Sequence, residues 1–271
     1  MKTNIFKLNL MKTNFRSLIF LATLGLLLNS CSSDDDASQD IMSPVISNFE
    51  FGQGASHTTD RIAYMGSDIH LEADISASAA VQRIALSIHS HDLELEEGQE
   101  DWEFNKDFTD QKYQVMNPTF HEHIDIPTNI PAGEYHIEIT VTDINGETAT
   151  VDGHLQILSP ISLSAFSIDT TAIKGSDFHA EFLVEAVFGI HAISVDIHSH
   201  GITPGEGETN WEFKQTFEEG YHGLNEAEFH EHIDIPVNAS AGEYHMTFSI
   251  EDEQGNIHNY ETHIDITNES L

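Results

Sequence analysis

Apolar and polar residues alternate along most of the chain beyond residue 43. In "RIALSIHSH" (83–91) Ile84, Leu86 and Ile88 fall on one face, and in "EYHIEITVTD" (134–143) Tyr135, Ile137, Ile139 and Val141 do the same. A period of two predicts strands with one face in a core. Short strands separated by Gly, Asn, Asp and Pro turns predict antiparallel β-sandwiches of roughly 110 residues each. No helical period stands out beyond residue 30. The run from Leu18 to Leu28 is different: it is unbroken, follows Lys12 and Arg16, and ends in "LLNSC", which predicts an export signal. A bilayer core takes about 20 apolar residues, so this run is too short for a permanent transmembrane helix. "MKTN" stands at both Met1 and Met11, leaving two candidate starts.

The alternating region is written twice. An offset of 109 residues aligns "GSDIHLEADISASAAVQRIALSIHSH" (66–91) with "GSDFHAEFLVEAVFGIHAISVDIHSH" (175–200) without a gap. The same offset pairs "DWEF" (101–104) with "NWEF" (210–213) and superposes two copies of the octapeptide "FHEHIDIP" (120–127 and 229–236). "SPVISNF" at Ser43 and "SPISLSAF" at Ser159 mark the two starts, the first copy carrying about eight extra residues before its "GSD". The expected organisation is a signal peptide at 1–30, a tether at 31–42, repeat 1 at 43–158 and repeat 2 at 159–271. The short linker implies domains stacked end to end.

"AGEYHIEITVTDINGE" and "AGEYHMTFSIEDEQGN" resemble the penultimate strand and final turn of bacterial immunoglobulin-like domains. The resemblance implies an all-β chain of two tandem Ig-like β-sandwich domains. Tyr135 and Tyr244 would then be tyrosine-corner residues, and "TATVDGHLQIL" and "HNYETHIDI" the last strands. Cys31, the only cysteine, excludes an internal disulfide and cysteine-rich metal sites. With Leu28 three residues before it, it resembles a bacterial lipobox, which implies lipidation at Cys31. The tail "SSDDDASQD" resembles the acidic surface-export tag of Bacteroidota lipoproteins. As a whole the tandem resembles a family of Bacteroidota surface lipoproteins whose Ig-like domains carry histidine-x-histidine motifs. That resemblance implies a fold and an outer-membrane, surface-exposed location, and it allows a TonB-dependent outer-membrane receptor as partner.

Removing residues 1–30 takes away Lys2, Lys7, Lys12 and Arg16 and no acidic residue, so the formal charge goes from −36 to −40. Such a surface repels nucleic acid, whose binding depends on lysine and arginine, and attracts cations.

The 18 histidines narrow the choice of cation. Seven recur at the 109-residue offset: His70 with His179, His89 with His198, His91 with His200, His121 with His230, His123 with His232, His136 with His245, and His154 with His263. Residues i and i+2 of a strand share a face, so "HSH" and "HEH" each present two imidazoles outward while Ile88 and Ile124 take the core side. Neutral imidazole is a ligand for zinc and copper, and nearby carboxylates complete a site or orient its histidines. On an immunoglobulin strand order, His89, His91, His136 and His154 are neighbours on one sheet, as are His198, His200, His245 and His263. "FHEHID" falls on the opposite sheet, placing His121, His123 and Asp125 near His70 and Glu72, and His230, His232 and Asp234 near His179 and Glu181. Alternatively, residues 92–119 change the strand order and bring "HEH" against "HSH" in one cluster.

These features point to a surface lipoprotein that binds copper or zinc in each repeat, as a scavenger, a buffer or a donor to a transporter. The competing expectation is a structural or adhesive Ig-like module contacting a glycan or protein, its histidines only an exposed strand face or a pH-responsive one. Trp102 and Trp211, in "WEF", then either contact a sugar, shield an ion, or plug a loop. "TDINGE" and "EDEQGN" lack the alternating oxygens of a calcium loop and read as hairpin turns. Histidine-x-histidine strands also occur in copper-zinc superoxide dismutases, but the chain lacks their disulfide and glycine-rich loops. With no nucleophile elbow, phosphate loop or HExxH motif, the chain is expected not to be an enzyme.

Overall fold

The computed structural model describes residues 42–53, 60–96 and 98–268. The expected signal peptide, the Cys31 lipidation site, His57 and nearly all of the tether lie outside the described residues. Among the described residues, sixteen strands carry the fold. Repeat 1 contains β1 (Val45–Gly52), β2 (Ile62–Tyr64), β3 (Asp68–Ser76), β4 (Val81–Ser90), β5 (Glu103–Phe108), β6 (Thr119–Asp125), β7 (Gly133–Asp143) and β8 (Thr148–Leu158). Repeat 2 contains β9 (Ile161–Ile168), β10 (Thr171–Ile173), β11 (Asp177–Ala186), β12 (Ile190–Ser199), β13 (Glu212–Phe217), β14 (Glu226–Asp234), β15 (Gly242–Asp252) and β16 (Ile257–Thr267).

Each repeat is a sandwich of a three-stranded and a five-stranded sheet. The orders are β1-β3-β6 against β2-β8-β7-β4-β5, and β14-β11-β9 against β10-β16-β15-β12-β13. All pairings are antiparallel except the short β2 with β8 and β10 with β16. This is the immunoglobulin order. The segment 92–119 contributes β5, which adds to the edge beside β4. It therefore does not reorder the sheets, and "HEH" and "HSH" lie on opposite ones.

The alternation places the core as read. Ile84, Leu86 and Ile88 of β4 and Tyr135, Ile137, Ile139 and Val141 of β7 are all buried. Each repeat has its own apolar cluster, one around Phe108 and Phe120, the other around Phe182, Phe229 and Phe248. The tyrosine corners are present: the Tyr135 hydroxyl donates to the Pro131 carbonyl at 2.9 Å and Tyr244 to Ser240 at 3.0 Å. Both tryptophans turn inward onto these tyrosines, with Trp102 to Tyr135 ring centroids at 5.6 Å and Trp211 to Tyr244 at 5.7 Å. They are plugs, since Trp211 is buried and Trp102 packs on the core. The last hairpins close on buried aspartates: Asp143 Oδ1 accepts from the Asn145 and Glu147 amides, and Asp252 Oδ1 from those of Gln254 and Asn256. Each turn thereby satisfies its own backbone amides.

Two details fix where the histidines sit. Gly66 and Gly175 have φ of +73° and +74°, a left-handed turn that favours glycine. The turn is tied to the end of the octapeptide strand, with the Ile126 amide donating to Ser67 O at 2.8 Å and Ile235 to Ser176 O at 2.7 Å. "GSD" and "FHEHIDIP" are thus the two halves of one locked corner. Phe120, Ile124 and Ile126 enter the core, and His121, His123 and Asp125 point away from it. Between the repeats, β8 ends at Leu158 and β9 begins at Ile161, and the rings of Tyr64 and Phe188 meet edge-on at 6.2 Å.

Candidate metal centre

On the three-stranded sheet of repeat 1, the outward rows follow directly from register. His123 lies across from His70, His121 across from Glu72, and Asp125 across from Asp68. On the other side of β3, Glu50 faces Glu72 and Gly52 faces His70. The imidazoles of His70, His121 and His123 therefore converge, with ring centroids 4.8, 5.2 and 5.5 Å apart. In repeat 2 the rings of His179, His230 and His232 stand 4.9, 5.3 and 5.6 Å apart. Each triad offers three nitrogens within 4.8 Å of one another. Such a set has a common centre no more than about 3 Å from any member, against the about 2.0–2.1 Å of a zinc–imidazole bond.

His70 is fully buried, and neither of its ring nitrogens has a hydrogen-bond partner. Burial, and then the neighbouring His121 and His123, hold it below the ordinary histidine value, against the opposing pull of Glu72 and Glu50. The site thus keeps His70 neutral, the form that donates a lone pair to a metal.

Carboxylates orient the other rings. Asp68 Oδ2 lies 2.5 Å from His123 Nδ1, and Asp177 Oδ2 lies 2.6 Å from His232 Nδ1. The hydrogen bond to His232 is the main cause holding Asp177 below the usual carboxylate range. Glu181 Oε2 is 3.3 Å from both His179 Nε2 and His230 Nδ1, whereas Glu72 is 3.8 Å from His70 Nε2. Asp68 and Asp177 were missed in the sequence, where Asp125 and Asp234 drew attention as near neighbours of "HEH". The signal was there, because "SDIH" and "SDFH" set the aspartate two residues before the histidine, on the same face.

The five-stranded sheets carry a second constellation. His89 lies across from His136 and His136 across from His154; His198, His245 and His263 form the same row. In repeat 1, His89, His91 and His136 group within 4.8 Å, while in repeat 2 the group is His200, Glu243 and His263. His136 Nδ1 is buried without a hydrogen-bond partner, and its Nε2 lies 3.2 Å from Asp152. His154 lies 3.2 Å from Glu134, His198 3.1 Å from Asp196, and His245 3.5 Å from Glu261. Hydrogen bonds from His198 and Lys214 outweigh the effect of burial and lower the Asp196 carboxyl. In each repeat, donor sets therefore lie on both outer faces, separate from one another.

The duplicated strand set has a counterpart among protein families. A family described as a domain of unknown function, DUF4625, matches residues 29–158 and again 159–267. The chain belongs to this family. No curated protein matches the chain. Among solved structures, a tetra-tandem repeat from the extending region of a large adhesion protein is 11% identical, with 82% of this chain and 50% of that one covered at a TM-score of 0.29. Red sea bream transglutaminase is 6% identical over 86% of this chain and 32% of its own, at a TM-score of 0.34. A bacterial ice-binding adhesin is 9% identical over 84% and 66%, at 0.28. The chain spans half of the first of these structures and about a third of the second.

Proposed function

We propose that the DUF4625 pair is a transition-metal-binding module, non-enzymatic, holding copper or zinc on histidine triads of its strand faces. One observation carries this reading: His70, wholly buried with neither ring nitrogen hydrogen-bonded, beside two further imidazoles. A buried polar group left without a partner costs roughly 1–3 kcal/mol, so a retained one calls for an ion or water that satisfies it. A coordinated metal satisfies one nitrogen, and the three converging rings are the donors that zinc and copper(II) take. The recurrence of the triad in repeat 2 supports the reading. The test is elemental analysis of the purified full-length protein after exposure to a mixed copper, zinc and nickel pool and gel filtration. The expected result is at least one ion per repeat, removed by chelator, and metal-free protein sinks the reading.

In this reading the module sits on the outer membrane facing outward, anchored through Cys31 by its acidic tether, and passes metal to a TonB-dependent receptor or buffers it. The lipobox-like "LLNSC" and the acidic run behind it support the anchor. The Cys31→Ser variant is expected in the soluble fraction, since stable anchoring takes two or more acyl chains and none remains. Membrane retention of that variant without lipid overturns the anchor.

A structural or adhesive surface module is the second reading, favoured by two sandwiches joined through only Ser159 and Pro160 with an aromatic contact across the join. Of the three structures named above, two come from adhesion proteins and none is described as binding a metal, and at those TM-scores the likeness is one of strand architecture alone. Stability and partner binding indifferent to chelators are the signature of this reading.

A further inference from the structure

His191 and His222 belong to neither triad and to no duplicated pair. Both stand beside Glu253, with His222 Nδ1 3.2 Å from Glu253 Oε1 and His191 Nδ1 3.7 Å from Oε2, and with ring centroids 5.5 Å apart. One ligand atom from each lies within 4.8 Å of the others. Two donors bound to a tetrahedral zinc ion are about 3.4 Å apart, a value that the two measured separations bracket. The three side chains sit at the opposite end of β12 from His198, so this constellation is distinct from those on the strand faces.

The backbone holds the three positions together. His191 is the bulged residue of β12, where the register with β15 slips between Ile190 and Ala192, and a bulge re-aims a side chain out of the regular alternation. The loop bearing His222 is tied to that bulge by Gly223 N to Ile190 O and Ile190 N to Leu224 O, both 2.8 Å. Glu253 is tied to the preceding turn by its amide to Gly189 O at 3.0 Å.

Repeat 1 has the same frame with other side chains. Gln82 occupies the bulge of β4, and Ile144 donates to Ala80 O as Glu253 does to Gly189 O. Gln114 donates to Asp110 O as His222 does to Glu218 O. The duplicated scaffold carries a ligand set in one copy alone, so the frame does not require these residues.

We propose that His191, His222 and Glu253 form an additional divalent transition-metal site, confined to repeat 2, with zinc or copper(II) held by two imidazoles and a carboxylate. Three protein ligands leave a fourth position for water or an exchangeable donor. All three side chains are at least one-third exposed, so this ion exchanges with solvent more readily than one lodged beside His70.

The test replaces the three residues with those of repeat 1 in the full chain, as His191→Gln, His222→Gln and Glu253→Ile. Zinc per chain is then measured by equilibrium dialysis against wild type over a range of free zinc. The variant is expected to bind one zinc fewer per chain with unchanged circular dichroism. Because both proteins carry identical triads, the difference reads this site whether or not the triads hold metal. Equal stoichiometry across the range means that Glu253 only accepts hydrogen bonds from two histidines, and overturns the proposal.

Discussion

Zinc(II) or copper(II) at a hundredfold excess over its dissociation constant is expected to stabilise the native chain by about 2.7 kcal/mol per site, read as a rise in the thermal midpoint. Changing His121 and His123 to alanine is expected to abolish that gain at the three-stranded face of repeat 1 and leave the five-stranded face untouched. Changing His89 and His91 does the reverse. The two pairs lie on opposite sheets of a sandwich about 10 Å thick, without shared partners, so their losses should add. Loss of all repeat 1 uptake from either double variant alone would mean a single shared ion and contradict the strand order. If wild type takes up no more transition metal than a chain with all four changed, metal binding by repeat 1 is refuted and its octapeptide is an outer strand with a locked corner. Uptake should weaken as pH falls through about 6.5, because imidazole coordinates only when neutral. The apo form carries a related dependence. His70 has a folded value below its unfolded one, so the unfolded chain takes the proton first. Repeat 1 therefore keeps full stability above about 6.5 and loses some as pH falls from there towards the lowered His70 value.

Phe229→Ala is expected to cost repeat 2 about 3–5 kcal/mol, the range for emptying a large aromatic site, and to leave repeat 1 unmoved. Phe229 is fully buried, with the rings of Phe182, Phe217 and Phe248 at 4.8, 5.3 and 5.9 Å. Its counterpart Phe120 sits in a separate cluster. Each repeat holds one tryptophan, so denaturant unfolding can be followed repeat by repeat, through Trp211 in a Trp102→Phe background and through Trp102 in a Trp211→Phe background. Only the Trp211 transition should move to lower denaturant. Parallel shifts of both would show that the Tyr64–Phe188 junction couples the repeats into one cooperative unit.

Much of this architecture can be read from local pattern. A period of two assigns each side chain to a face whatever the neighbouring strand, so the core positions of β4 and β7 and the outward aim of His89, His121 and His123 needed no coordinates. The tyrosine corners followed from the resemblance of the two "AGEYH" strand starts to immunoglobulin-like domains, and each hydroxyl closes on the backbone four residues before it. The 109-residue repeat made seven histidine pairs visible because the copies differ at many positions around them.

Alternation names a face but not the strand beside it. Whether "HEH" met "HSH" depended on which strands hydrogen-bond across long sequence separations, and only the closed sheets showed β6 beside β3 and β5 at the edge of β4. The burial of His70 is likewise a tertiary property: its own strand reads as an ordinary outward histidine, and its desolvation comes from what packs around it. Asp68 and Asp177 became partners of His123 and His232 through cross-strand register that no single strand encodes. His191 had no visible role because a bulge breaks the period that made the other histidines legible, and its neighbours His222 and Glu253 arrive from a loop and a turn about 30 and 60 residues further along the chain. Local sequence sets the direction of each side chain, while the company it keeps is set by the long-range pairing that closes the sandwich.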